Sequence, residues 1–354
     1  MDKRKIVLPI LIGTIALGSA SASIAWYASS NRLVVDSIKI NFDTSYELLI
    51  NTSNDIDTFK ESLTYSDFSP VGAFVPVSSM YREEWEAERK NKPVFYDASH
   101  YSTDTDGKPF LWTTNAGYFC QDIYILANDD VDVTLDALDT YINPNPLFNN
   151  AYAREIRAKY PDLTEEEIIA RLDSLTKAMR FSILISDEDF YSYTVINPNP
   201  NEEEVLFAGT LDNNNNSHTY FDYYYKNNEL YETMYGEVYN RENIVYTEAL
   251  AEDTDFVSDG DSSAFNAKHK KGVKKIDLEE SINNGVVVAK EKAVTLEEID
   301  QDPEKFYFPC RAYEPRKLTL SIYIEGWDLD SVNYTMGASF LSNMSFKIYR
   351  GVVN

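Results

Sequence analysis

Short runs in which apolar and polar residues alternate dominate this chain. Residues 33–40, LVVDSIKI, read as a first strand, and Tyr46–Ile50 follows after a turn around Asp43. Residues 117–142 hold two apolar runs separated by Asn128, Asp129 and Asp130, which is a hairpin signal. In KLTLSIYIEGWD (317–328) Leu318, Leu320, Ile322 and Ile324 share one face, while Lys317, Thr319 and Ser321 take the other. In GASFLSNMSFKIYR (337–350) Ala338, Phe340, Met344, Phe346 and Ile348 share a face. A period of two describes strands with one buried face.

Helical spacing is confined to a few places. Thr164 followed by Glu167 is a capping box, and behind it Ile168, Leu172, Leu175 and Met179 recur at helical intervals. A preceding helix over 151–159 ends before Pro161, and MRFSILI (179–185) returns at once to a strand pattern. Ser79–Asn91, with Trp85, is a further short helix. INPNPNEEE (196–204) and LDNNNNSH (211–218) are turn-rich, and 251–275 has the composition of a mobile loop. The expected fold is mainly β: an antiparallel sandwich over 26–354 with a helical insertion near 151–178.

Residues 1–25 stand apart from that domain. Lys3, Arg4 and Lys5 precede the apolar run 6–17, and small residues at 20–25 place cleavage positions at Ala22 and Ala25. This is the pattern of an export signal. The alternative is an uncleaved anchor, because 6–28 is long enough to cross a thin bilayer at about 20 residues per span, although Ser19, Ser21 and Ser23 dilute its second half.

Composition narrows the partners. The 354 residues include 26 Tyr and 18 Phe, which suits strands, and carry a formal charge of −26. That charge argues against nucleic acid as a partner. Cys120 and Cys310 are the only cysteines. Outside the cell they are a candidate disulfide; the alternative is two buried thiols acting as small hydrophobes.

Several blocks together resemble a known family. ASIAWYASSNRLVVDSIKI (22–40) is similar to the signal-peptide region of TasA/camelysin-type Firmicutes proteins, in which an alanine–aromatic step runs straight into a strand. VPVSS (75–79), GYFCQDIYILANDDVDVTL (117–135) and LTLSIYIEGWDLDSVNYTMGASF (318–340) resemble blocks of the larger secreted relatives. Where those relatives often carry a cysteine after Glu-Gly-x-Asp-x-Asp, this chain has Ser331, so no cysteine role exists there. The resemblance implies a jelly-roll sandwich, export by a dedicated signal peptidase, and use at the cell surface or in a biofilm matrix.

Local catalytic motifs are missing. His100, His218 and His269 have no helical i, i+4 pairing to grip zinc, and no G-x-S-x-G, phosphate loop or G-x-G-x-x-G occurs. The reading is therefore non-enzymatic, without cofactor or metal. Glu325, Asp328 and Asp330 read first as a strand-ending turn whose aspartates bond their own backbone. An acid–base pair or a Ca²⁺ ligand set is the sharper alternative. STDTDGKPF (102–110) imitates an EF-hand opening, but its twelfth position is Thr113 rather than Glu. The basic run 268–275 is a solvated loop or a dock for an acidic neighbour.

These observations lead to two expectations of different kinds. One is a surface or matrix subunit that self-associates by β-strand addition, with Leu33, Val34, Val35, Ile38 and Ile40 as the assembly strand. The other is a glycan- or host-binding adhesin that uses the tyrosine-rich stretch 219–239.

Overall fold

The computed structural model describes residues 33–40, 48–69, 74–79, 91–98, 102–103, 105, 109–161, 163–200, 206–211, 218–220, 223–226, 229–232, 287–328, 330–331 and 337–349. The first strands are β1 (Leu33–Ile40), β2 (Leu48–Asn51), β3 (Ser62–Leu63), β4 (Pro76–Ser78), β5 (Phe95–Asp97), β6 (Ser102–Thr103) and β7 (Pro109–Thr114). Next come β8 (Phe119–Ala127), β9 (Val131–Leu135), β10 (Tyr141–Pro144), helices α1 (Pro146–Ile156) and α2 (Glu165–Ala178), then β11 (Met179–Ser186) and β12 (Tyr191–Asn197). Strands β13 (Leu206–Leu211), β14 (His218–Tyr220), β15 (Tyr223–Lys226), β16 (Glu229–Glu232), β17 (Val287–Lys290) and β18 (Ala293–Thr295) follow. The chain closes with α3 (Leu296–Gln301), β19 (Tyr307–Cys310), β20 (Arg316–Glu325) and β21 (Phe340–Tyr349).

Two sheets carry the fold. The smaller runs β19-β9-β21-β1-β3, with β10 also on β21. The larger runs β17-β13-β14-β7-β5-β4-β20-β11-β12-β18, with β8 bridging β20 to β2 and β6 on β7. The mainly β expectation is met. Most strand pairs are antiparallel, as expected, but β1 with β21, β20 with β4 and β12 with β18 pair in parallel, so the sheets are mixed. Parallel neighbours need long crossovers, and each of these pairs joins strands separated by other elements of the chain.

The expected hairpin at Asn128–Asp130 is a corner instead. Strand β8 pairs with β2 and β20 in the larger sheet, whereas β9 pairs with β19 and β21 in the smaller. The β19–β20 connection docks on this turn: Ala312 N–H donates to Asp130 Oδ1 at 2.8 Å and Tyr313 N–H to the Ala127 carbonyl at 2.8 Å. Tyr313 takes φ 61°, a left-handed conformation uncommon outside glycine. With its backbone groups bonded across the connection, the turn has no need of a hairpin partner.

Helix α2 starts where its capping box predicts, with Glu167 N–H donating to Thr164 Oγ1 and Thr164 N–H to Glu167 Oε2. Helix α1 starts earlier than the apolar spacing suggests. Asn145 accepts from Phe148 N–H, and Pro146 fits the first turn, where a missing N–H is harmless. Both helices lie against one continuous apolar cluster with members in the two sheets, among them Phe119, Phe181, Leu318, Phe308 and Phe346. Strand β20 departs from its half-buried prediction: from Leu318 onward both faces are buried. On its second face Tyr323 packs with Val77 of β4 and Phe95 of β5. Among the described residues no helix is long and apolar enough to cross a membrane. Residues 1–25, with Ala22 and Ala25, lie outside the described residues, as do 251–275 and most of the expected 79–91 helix.

Candidate functional site

The expected assembly strand sits beside the last strand of the smaller sheet. Strand β1 pairs with β21 in parallel, from Leu33 opposite Phe340 to Ile40 opposite Phe346. The sequence LVVDSIKI breaks its own alternation, since Leu33 and Val35 are odd-numbered but Ile38 and Ile40 even-numbered. A register shift between Val35 and Ser37 absorbs the break. It leaves Leu33, Val35, Ile38 and Ile40 in register with Phe340, Ser342, Met344 and Phe346, all buried on β21. One extra residue, Asp36, thus keeps an out-of-phase sequence on one row. Among the described residues, the strand paired on its far side is β3, through Ile38 and Lys39. The opposite rim of the sheet, β19, carries Pro309, which has no N–H to offer a further strand.

A second cluster lies at the far end of β20. Arg180, Glu325 and Asp328 are all at most 1 % exposed. Arg180 Nε donates to Glu291 Oε1 at 2.9 Å, and Nη2 donates to Glu291 Oε2 at 2.9 Å and Asp328 Oδ2 at 2.7 Å. Its Nη1 donates to the Lys177 carbonyl at 2.6 Å and the Met179 carbonyl at 3.1 Å. Burial alone would push this guanidinium down; the charges and hydrogen bonds of Glu291 and Asp328 outweigh it and hold it above its ordinary value. Glu325 receives Trp327 N–H on Oε1 at 3.0 Å and Ser79 N–H on Oε2 at 3.5 Å. Burial, then the nearby Glu291 charge, raise its carboxyl from 4.5 to about 8, against Trp327 N–H, Arg180 and Ser78.

The sequence reading of EGWDLD was half right. Asp328 and Glu325 do bond their own turn, through Asp330 N–H to Asp328 Oδ1 and Trp327 N–H to Glu325 Oε1. They are also the buried end of an ion network whose other half, Arg180 and Glu291, went unread. A signal existed: Arg180 interrupts the apolar run AMRFSILI, and a charge inside a strand buried on both faces requires a partner.

The remaining candidates disperse. Cys120 on β8 and Cys310 on β19 are free thiols, one in each sheet, and burial pushes the Cys310 thiol up to about 12. His218 pairs with Trp112 between β14 and β7, whereas His100 and His269 lie outside the described residues. Asp104, Asp106, Gly107 and 268–275 also lie outside them. No group of three or more metal-ligating side chains occurs among the described residues. Two of the four N-x-[ST] sequons are occupied by structure: Asn51 pins its turn through Ser53 and Thr58, and buried Asn343 donates to the Asp139 carbonyl. Comparisons with protein-family models, curated proteins and solved structures find no match.

Proposed function

We propose that this chain is a non-enzymatic structural protein, exported to the cell surface or extracellular matrix, whose subunits associate by adding β1 to a neighbour's sheet. The observation that supports it is the β1–β21 pairing. Strand β21 has β9 and β10 on one side and β1 on the other, and β1 has only two paired residues beyond it. Removing β1 from this place would expose a row of unpaired main-chain groups beside buried Phe340, Met344 and Phe346. A second copy's β1 satisfies the same row, with main-chain bonds giving affinity and the shifted register giving specificity. The export-type leader at 1–25 and the resemblance of 22–40 to TasA/camelysin-type proteins point the same way, as does the resemblance of 318–340. Successive strands β8–β9 and β19–β20–β21 alternate between sheets, which suits a jelly-roll sandwich. The glycan-binding reading has no comparable support, because it rests on 219–239, a stretch without described side chains.

The test compares the mature chain with a variant lacking residues 26–40, by size-exclusion chromatography, electron microscopy and circular dichroism. The expected result is that the full mature chain assembles, while the truncated one stays folded and monomeric and binds a peptide of residues 33–40. A truncated chain that unfolds and is not rescued by the peptide, or a full chain that never assembles, overturns the proposal.

A further inference from the structure

We propose that the cluster around Arg180 is a proton-operated latch, in which protonated Glu325 holds the turn that follows β20 and its ionisation loosens it. Glu291, Asp328 and Glu325 surround one guanidinium, and the nitrogens of Arg180 are taken up by Glu291, Asp328 and two carbonyls. Glu325 is left with the Trp327 and Ser79 N–H groups and the neighbouring Ser78 hydroxyl, and with no hydrogen bond to the cation. Its side chain is fully buried. A proton on Glu325 leaves the cluster with two negative charges against one positive; without it a third buried negative charge has no counter-ion, which burial makes costly.

Burial and Glu291 favour the proton on Glu325, against Trp327 N–H, Arg180 and Ser78, and the groups around it come from several elements. Arg180 faces it from β11 and Glu291 from the β17–β18 turn, with Asp328 in its own turn. On β20 itself Tyr323, fully buried, shares a hydrogen bond with Ser79 Oγ, and burial, then Tyr193 of β12, hold its hydroxyl well above the ordinary value. Strand β4 supplies Ser78 with Ser79 beyond it, and β5 brings Asp97 into register with Val77. On β8, Cys120 lies opposite Ser321 and its thiol is raised by burial. Burial and the Glu291 charge move Glu325 in the same direction as the charge count, up to about 8.

What the latch holds is specific. Gly326 N–H bonds the Val77 carbonyl at 2.6 Å, and Asp328 and Ser331 N–H groups continue the turn that leads out of the larger sheet. That turn leads to β21 in the smaller sheet. The same cluster grips Glu291, where the chain re-enters the larger sheet between β17 and β18.

The sign follows from linkage. The folded chain keeps a proton that the unfolded chain releases near 4.5, so the stabilisation is full below that value and is lost as pH rises through about 8. Between those limits this one group raises the unfolding constant about tenfold per pH unit.

The experiment measures urea unfolding of the full chain and of Glu325→Gln from pH 5 to pH 9.5. The ratio of unfolding constants, wild type over variant, is expected to climb about tenfold per pH unit and level off above pH 8. A ratio that is flat or falls with pH overturns the latch. Infrared titration of the wild type is the second arm and needs no folded variant: a buried protonated-carboxyl band persists at pH 7 and vanishes near pH 8. Its absence at pH 7 overturns the latch equally. Neither readout involves assembly, so the latch and the strand-addition reading stand or fall separately.

Discussion

The two ends of β20 use the same chemistry under opposite conditions. At its start Lys317 pairs with Asp122 at 2.7 Å, with 48 % and 43 % of their side-chain surface in water, while Arg316, only 10 % exposed, pairs with Asp187 at 40 %. At its end Glu325 joins Arg180, Glu291 and Asp328, none more than 6 % exposed. The two arginines differ in what offsets their burial. Burial pushes Arg316 down, whereas the carboxylates around Arg180 reverse a larger burial effect and push it up. Exposed pairs are screened and contribute little. In the buried cluster each charge is held by the others, so loss of one leaves the rest without compensation. Burial, not the number of ion pairs, decides which end the fold depends on.

The sharpest way to break the comparison is Arg180→Met. It keeps the volume and removes the cation that Glu291 and Asp328 share in their buried site, and is expected to cost about 3–5 kcal/mol in urea unfolding at pH 7. Adding Glu291→Gln and Asp328→Asn to it should recover much of that loss, since neutral partners no longer need a counter-charge. A loss below about 1 kcal/mol would place this end in the same class as the exposed one.

A middle-sized effect is expected where the latch turn touches β4. A Cβ on Gly326 would stand 2.1 Å from Ala98 Cβ and 3.3 Å from the Val77 carbonyl oxygen. Gly326→Ala therefore drives its methyl into that of Ala98 and close to the Val77 carbonyl, and should cost about 1–3 kcal/mol. Pairing it with Ala98→Gly removes the closer contact and should restore most of the stability. A neutral Gly326→Ala, read by thermal melting, would show a turn that yields freely and could not act as a latch.

How much of this was legible depends on whether the cause is local. Thr164 and Glu167 announce α2 because a capping box needs only four neighbouring residues. Strand β1 was readable in its bounds, yet its parallel partner β21 was not, because nothing local links Leu33 to Phe340. The Asn128–Asp130 corner imitates a hairpin for the same reason: what diverts it is Ala312 and Tyr313, far along the chain. Thr319 and Ser321 read as a polar face, yet both are buried, and Tyr323 on the same face packs with Phe95 and Val77 from β5 and β4. The ion cluster combines both cases. Glu325 and Asp328 stand in one short block, while Arg180 and Glu291 arrive from two other strands' ends, and only folding brings the four together.

The smallest effect sharpens the comparison from the exposed side. Lys317 reaches Asp122 across the β20–β8 pair, where Thr319 Oγ1 also donates to Asp122 Oδ1 at 2.7 Å. Lys317→Ala removes the ammonium but leaves Asp122 hydrated and still hydrogen-bonded, so the expected loss is about 0.2–1 kcal/mol. It also makes a chain of net charge −26 more negative, and that part of the loss is long-range repulsion rather than the pair itself. Salt separates these exposed contributions from buried ones. At about 1 M the screening length shrinks to roughly 3 Å, so both exposed contributions should fade and Lys317→Ala should unfold like the parent. Arg180→Met should keep nearly all its loss in the same buffer, because ions do not reach a cluster this deeply buried. Urea unfolding of both variants at low and high salt checks the pair of outcomes. A Lys317→Ala loss that survives high salt would mean that its aliphatic stem packs on Tyr124, its register partner on β8, and that contact rather than charge secures this end of the strand.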